Sequence, residues 1–166
     1  MKKNIRDKLS VIIRAKNEER WIGHAIQSVL DFFPGCEIII IDDNSSDETL
    51  LISKMFLKVK AIINSKSSYA KIKFDTIKNY TPGKALNRGV KISSRENILI
   101  LSSHCVIKKI NYKNLEKNLI KHAAIFGNQI PVYKGKKIKK RYIWSNFSDQ
   151  KSAINLFSKI ENRYFF

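Results

Sequence analysis

Ile38, Ile39, Ile40 and Ile41 stand in succession and run directly into Asp42, Asp43 and Asn44. Side chains alternate across a strand, so a run that is apolar at every position fits a strand covered on both faces. Strands of that kind belong to parallel sheets flanked by helices. The acidic stop then sets polar groups at the strand's carboxyl end, where open α/β sheets take their ligands.

The rest of the chain repeats this unit. Residues 9–13 (LSVII) form another apolar run, followed by AKNEER. Asn17 is placed to cap a helix, with Glu18 and Glu19 at its positive end. Trp21, Ile22, Ala25, Ile26, Val29 and Leu30 recur at helical spacing until Pro34 and Gly35 end the helix. Ser45 and Glu48 fit a capping box for a second helix. Residues 59–64 and 72–77 read as strands, with the polar SKSSYA between them. Thr81 caps a third helix with Pro82 at its first position. Ala85, Leu86, Gly89, Val90 and Ile92 form its inner face, Gly89 as a close helix–sheet contact. Residues 97–101 (NILIL) read as another buried strand, ending in Ser102, Ser103, His104 and Cys105. Beyond it, residues 111–121 read as a helix, 123–130 as a strand ending at Pro131, and 152–160 as a helix. Serial strand–loop–helix units predict an α/β chain: a three-layer α/β/α sandwich with a mostly parallel sheet.

The 166 residues, 43% of them hydrophobic, suit one domain with a real core. Charged residues sit between apolar runs rather than replacing them, which argues against a disordered chain. The net charge of +18 points to a polyanionic partner: nucleic acid, an anionic membrane surface or a phosphate-bearing ligand. Codon bias in an AT-rich genome is the competing source, since Lys, Asn and Ile are all abundant. The densest basic run, residues 134–141 (KGKKIKKR), is more local than such a bias produces. Cys36 and Cys105 lack metal-ligand spacing, and reduced, cytoplasmic thiols are expected. No apolar stretch reaches the ~18 residues a spanning helix needs. Membrane contact is therefore expected to be peripheral, at the inner face of the cell membrane.

LSVIIRAKNEERWIGHAIQSVL, IIIIDDNSSDET, PGKALNRGV and NILILSSHC, in that order, resemble the successive motifs of family 2 glycosyltransferases. The similarity is clearest over residues 9–105. It implies the GT-A fold, of the nucleotide-diphospho-sugar transferase type. It also implies inverting transfer of a sugar from a nucleoside-diphosphate-sugar to a lipid- or glycan-linked acceptor in cell-surface polysaccharide synthesis. By position, Arg14, Ala15, Asn17 and Glu18 would line the base and ribose pocket. Asp42 and Asp43 would accept hydrogen bonds from base or ribose, a task suited to groups that only accept. Gly83 would let backbone approach the ligand, and Lys84 would meet the donor diphosphate. Asn87, a poor helix former inside a helix, is a further candidate.

One motif departs from the family. Its Asp-X-Asp carboxylates hold a divalent metal on the diphosphate, and the segment is also similar to the Asp-X-His variant of polypeptide N-acetylgalactosaminyltransferases. Here the positions are Ser102, Ser103 and His104. A hydroxyl is a far poorer ligand for Mn²⁺ or Mg²⁺ than a carboxylate, which leaves His104 as the candidate ligand. Otherwise His104 hydrogen-bonds a diphosphate oxygen directly, or Lys and Arg neutralise the leaving group. Cys105 is expected to be an inert core residue. In the family, the carboxylate that deprotonates the acceptor lies later, in the acceptor half. The final ENRYFF resembles the strand leading there, and Asp149 and Glu161 sit in no motif resembling that base. The expectation is therefore a single GT-A domain over residues 1–166, its nucleotide-sugar-binding portion, incomplete at the carboxyl end and weak in turnover. The alternatives are a donor-binding module without turnover and a basic nucleic-acid-binding domain, the latter without a recognisable RNA- or DNA-binding motif.

Overall fold

The computed structural model describes residues 5–58, 60–63, 66–69, 71–133, 135–137, 156–158 and 163–165. The chain runs β1 (Leu9–Ala15), α1 (Ile22–Phe32), β2 (Glu37–Asp42), α2 (Thr49–Met55), β3 (Lys60–Ile63), β4 (Lys66–Tyr69) and β5 (Lys71–Thr76). It continues through α3 (Pro82–Ile92), β6 (Asn97–Ser102) and α4 (Tyr112–Lys121). The short strands β7 (Val132–Tyr133), β8 (Lys136–Lys137), β9 (Leu156–Ser158) and β10 (Arg163–Phe165) follow. Two compact units divide the chain, residues 1–116 and 117–166. The second holds the antiparallel pairs β7–β8 and β9–β10.

In the first unit four strands form one sheet in the order β5-β2-β1-β6, and every neighbouring pair is parallel. The isoleucine run does what its composition requires. Ile38, Ile39, Ile40 and Ile41 are fully buried, and alternate members face opposite layers. Ile38 and Ile40 join Val11, Ile13, Ile22, Ile26 and Val29 in a core beneath α1, with Ile52 and Phe56 of the α2 region against it. Ile39 and Ile41 join Ile12 and Ala85 on the other face, with Leu86 and Ile92 of α3. The three layers are thus those expected. Gly89 sets the closeness of the α3 layer, since a Cβ there would lie 2.6 Å from Ile12 Cγ2. Thr81 caps α3 by accepting from the Lys84 N–H at 3.2 Å, with Pro82 at its start.

Several local expectations are overturned. Asn17 does not cap α1, which starts after Trp21 without a side-chain cap. Ser45 and Glu48 form no capping box, because α2 starts at Thr49 and the Ser45 hydroxyl donates to Asp42 instead. In both cases a neighbouring loop supplies a better partner than the helix end. The polar residues 66–69 form β4, paired with β3 in a hairpin, because backbone pairing needs no apolar pattern. Residues 97–101 form a strand at the sheet's edge rather than a buried one, and Ile100 is 53% exposed. Residues 123–130 form no strand, since an apolar run does not by itself specify pairing. Leu156–Ser158, expected in a helix, is β-structure paired with β10; the rest of 152–160 lies outside the described residues.

The amino edge of the sheet is closed by one carboxylate. Glu37 is 3% exposed, yet its oxygens accept from Ser10 Oγ at 2.6 Å and from Ser94 N and Oγ at 2.8 Å. Lys73 Nζ lies 2.6 Å away. Burial by itself would raise this carboxyl; the Lys73 ammonium and the Ser10 and Ser94 donors outweigh it and hold it at about 2. One side chain thereby ties β1, β2, β5 and the turn between α3 and β6. Among the described residues no helix is long and apolar enough to cross a membrane.

Candidate functional site at the carboxyl edge of the sheet

The chain passes outward from β1 to β2 and β5, then returns to β6 on the other side of β1. The strand order therefore reverses between β1 and β6. Open parallel sheets bind ligands in the crevice that such a reversal leaves beyond the carboxyl ends. Glu18 and His104, two of the residues singled out from the sequence, meet across it.

Each of β1, β2 and β5 is followed by an asparagine in the left-handed region: Asn17 and Asn44 at φ 52° and Asn79 at φ 56°. Asparagine tolerates that backbone better than most residues, so each loop turns sharply without glycine. The loops after β1 and β2 are then fastened together. Asn17 N donates to Ser45 Oγ (3.0 Å), Glu18 N to Thr49 Oγ1 (2.7 Å) and Glu19 N to Asp47 Oδ2 (3.0 Å). In return Ser46 N donates to Asn17 Oδ1 (2.9 Å) and Glu48 N to Glu19 Oε2 (3.1 Å). These bonds satisfy backbone groups that no helix or strand uses.

The two aspartates after β2 have different surroundings. Asp42 is 1% exposed and both its oxygens engage Ser45, through the backbone N–H (2.9 Å) and the hydroxyl (2.5 Å). It shapes the loop. Asp43 is held by Ala15, whose carbonyl accepts its N–H at 2.9 Å, and its side chain stays 13% exposed, 2.8 Å from Lys16 Nζ. The hydrogen bond and charge of Asp43 raise the Lys16 pKa.

His104 lies across the crevice. Ser102 O accepts from Cys105 N at 2.9 Å, so the chain turns immediately after β6. Ser103 is buried in that turn, while His104 Nδ1 reaches Glu18 Oε1 at 3.0 Å. The pair joins the loops after β1 and β6, and Nε2 is the ring nitrogen left for a ligand. Arg14 and Lys84 reach the segment leading into α3: Arg14 Nη1 donates to Tyr80 Oη (3.2 Å), and Lys84 Nζ meets Asn79 O (3.5 Å). Asn87 is exposed on α3. At Gly83 a Cβ would meet nothing within 4 Å, so the protein's own packing does not demand glycine there. Both cysteines are free thiols. Burial pushes Cys36 up to about 12 and also raises Cys105, which keeps both protonated and unreactive.

These donors bear on the metal that the family motif implies. Among the described residues no three His, Cys, Asp or Glu side chains are grouped to hold an ion. The Asp-X-Asp position offers one imidazole with one carboxylate beside it, and Ser102 and Ser103 replace neither missing carboxylate. That set does not fit a Mg²⁺ or Mn²⁺ centre, which relies on carboxylate oxygens. Asp149 and Glu161 lie outside the described residues.

Sequence reasoning placed Lys16 after the first strand without a role, and missed Tyr80, Asp47 and the hydroxyls of Ser45, Ser46 and Thr49. The signal for the hydroxyls was present: NSSDET follows β2 at the height where KNEE follows β1, and the donors of one loop need acceptors in the other.

Comparison with known proteins agrees with this geometry. A 4,4'-diaponeurosporenoate glycosyltransferase of Staphylococcus aureus is 35% identical over 48 residues, 29% of this chain and 13% of that protein. The structure is similar to that of S. aureus TarS, at 26% identity and a TM-score of 0.55 over 70% of this chain and 20% of TarS. It is likewise similar to a TarS fragment, residues 1–349, at 25% identity and a TM-score of 0.52 over 68% of this chain and 31% of the fragment. The chain thus spans less than a third of the length of each. The family model described as glycosyl transferase family 2 matches residues 10–165, nearly the whole sequence. The family match and the parallel sheet agree: the chain belongs to glycosyl transferase family 2.

Proposed function

We propose that this chain binds a nucleoside-diphosphate-sugar at the carboxyl edge of its sheet and takes part in inverting transfer of the sugar to a lipid- or glycan-linked acceptor. The observation that carries the reading is the Glu18–His104 contact across the point where the strand order reverses. Asp43 is the acceptor for a base N–H or ribose hydroxyl, with Arg14, Ala15, Asn17 and Glu18 forming the wall beside it. Asp42 supports Asp43 by fixing the loop. Lys16 shields Asp43 and yields to the incoming donor.

The diphosphate falls to His104 and Lys84. His104, oriented by Glu18, donates to a phosphate oxygen through Nε2–H as the doubly protonated ring, and Lys84 adds a point charge at the start of α3. Asn87 lies one turn further along the same helix. The metal's share of leaving-group stabilisation is accordingly smaller than in Asp-X-Asp relatives. Peripheral contact of the basic residues 134–141 with an anionic membrane at the inner face of the cell membrane would bring the site to a lipid-linked acceptor.

Thermal unfolding in the presence of ligands tests the reading. A nucleoside diphosphate at a hundredfold excess over its Kd should stabilise the protein by about 2.7 kcal/mol. Inorganic phosphate at the same concentration should do much less. Steeply salt-dependent RNA binding, with no stabilisation by any nucleoside diphosphate, would favour a nucleic-acid-binding domain instead.

A further inference from the structure

The net charge is unevenly distributed, through the acids rather than the bases. Residues 1–96 hold 18 Lys and Arg against 11 Asp and Glu, whereas residues 97–166 hold 14 against 3. Within the described part of the second stretch, the charge has an ordered platform in α4. Lys113, Lys117 and Lys121 stand at successive intervals of four, which places them in one stripe about 12 Å long. The opposite side of the helix is anchored: Tyr112 and Leu115 pack on the core, and Tyr112 Oη donates to Phe32 O. All three lysines are exposed. Ile120, beside the stripe, is 87% exposed. Glu116 is the one acid on the helix.

Like charges at this spacing disfavour an isolated helix, and a polyanionic surface removes the penalty. An exposed isoleucine next to the stripe adds an apolar group that nucleic acid does not use, whereas the headgroup–acyl boundary of a bilayer buries it. The exposed face of α4 also presents no aromatic ring on which a base would stack, since Tyr112 is turned to the core. We infer that the face of α4 formed by Lys113, Lys117, Lys121 and Ile120 docks on an anionic lipid bilayer. The inference does not depend on the transferase reading, because lipid binding is measured without a sugar donor.

The test is co-sedimentation of the full chain with phosphatidylcholine vesicles with and without phosphatidylglycerol, over a range of salt. Wild type should bind only the anionic vesicles. K113Q/K117Q/K121Q should lose on the order of 100-fold in partitioning, at about a factor of five per lysine. Ile120→Ser should lose less, and its loss should persist at high salt. K71Q/K78Q/K91Q removes equal charge from exposed sites around β5 and α3 and should lose far less. Equal losses in both triple variants would reduce the effect to net charge and overturn the inference. So would binding that ignores phosphatidylglycerol, or RNA binding that anionic vesicles fail to compete. Should the α4 triple variant not fold, Lys117→Gln alone must still lower partitioning severalfold.

Discussion

Both edges of the parallel sheet carry charged pairs, and the two are built in opposite ways. At the amino edge Glu37 is buried and surrounded by Ser10, Ser94 and Lys73, so its oxygens are saturated by the protein itself. At the carboxyl edge Asp43 and Glu18 have one side-chain partner each, Lys16 and His104, whose side chains are each 60% exposed. A saturated charge holds strands together. A charge with one solvated partner is available to a ligand. Edge chemistry therefore has to be judged by what is left unsatisfied, since both ends of a strand can hold carboxylates.

The sharpest way to break this contrast is to exchange the roles by mutation. Glu37→Ala strands Lys73 and the serine hydroxyls without their common acceptor and should lower unfolding free energy by about 3 kcal/mol, the scale for breaking a buried pair. Denaturant titration reads the loss, and nucleotide affinity of the folded protein should be unchanged. A loss of affinity without a loss of stability would make the amino edge part of the site.

Acid should act on the same edge. Glu37 is held at about 2 when folded, below its ordinary value of 4.5. Its contribution is therefore complete above that ordinary value and disappears as pH falls through it towards 2. Stability should drop on the order of 2–3 kcal/mol over that window through this group. Glu37→Gln should flatten that part of the pH profile.

At the carboxyl edge the effects on stability should be smaller and those on binding larger. Asn17→Ala puts at φ 52° a residue that tolerates the left-handed region less well than asparagine, and removes the acceptor of the Ser46 N–H. It should cost about 1–2 kcal/mol and weaken nucleotide binding. Asn17→Gly should recover the backbone part alone. Ser102→Asp should alter stability by less than about 0.5 kcal/mol while making nucleotide binding more dependent on Mn²⁺, because it restores a carboxylate beside His104. An absence of any Mn²⁺ effect in that variant would place the diphosphate elsewhere.

The same contrast explains what was legible in the sequence. The central strands were legible because Val11, Ile12, Ile13 and the four isoleucines are buried on both faces, and that demand is written residue by residue. Asp43, Glu18 and His104 were legible as strand-end polar residues in family motif order. Their pairing was not, because the Glu18–His104 contact joins residues 86 apart and depends on strand order, which periodicity does not reveal. Asp42 and Asp43 look alike in sequence, and only the inward position of Asp42 and its bonds to Ser45 separate them. The helix starts at α1 and α2 were misjudged for a related reason. Asn17 and Ser45 had short-range capping signals, but the facing loops offered competing partners. Residues 123–130 had the right composition for a strand, but composition does not specify pairing.

The central claim is that a nucleotide sits against Asp43 at the carboxyl edge. Titration calorimetry of a panel of nucleoside diphosphates, without metal, against wild type and Asp43→Ala tests it most directly. The account predicts saturable binding of at least one nucleotide to wild type. In Asp43→Ala that binding should weaken by about 1–3 kcal/mol, the scale for losing a hydrogen bond to a charged group, with unchanged thermal stability. Equal affinity in an intact Asp43→Ala protein, or binding of no nucleoside diphosphate by wild type, would contradict it.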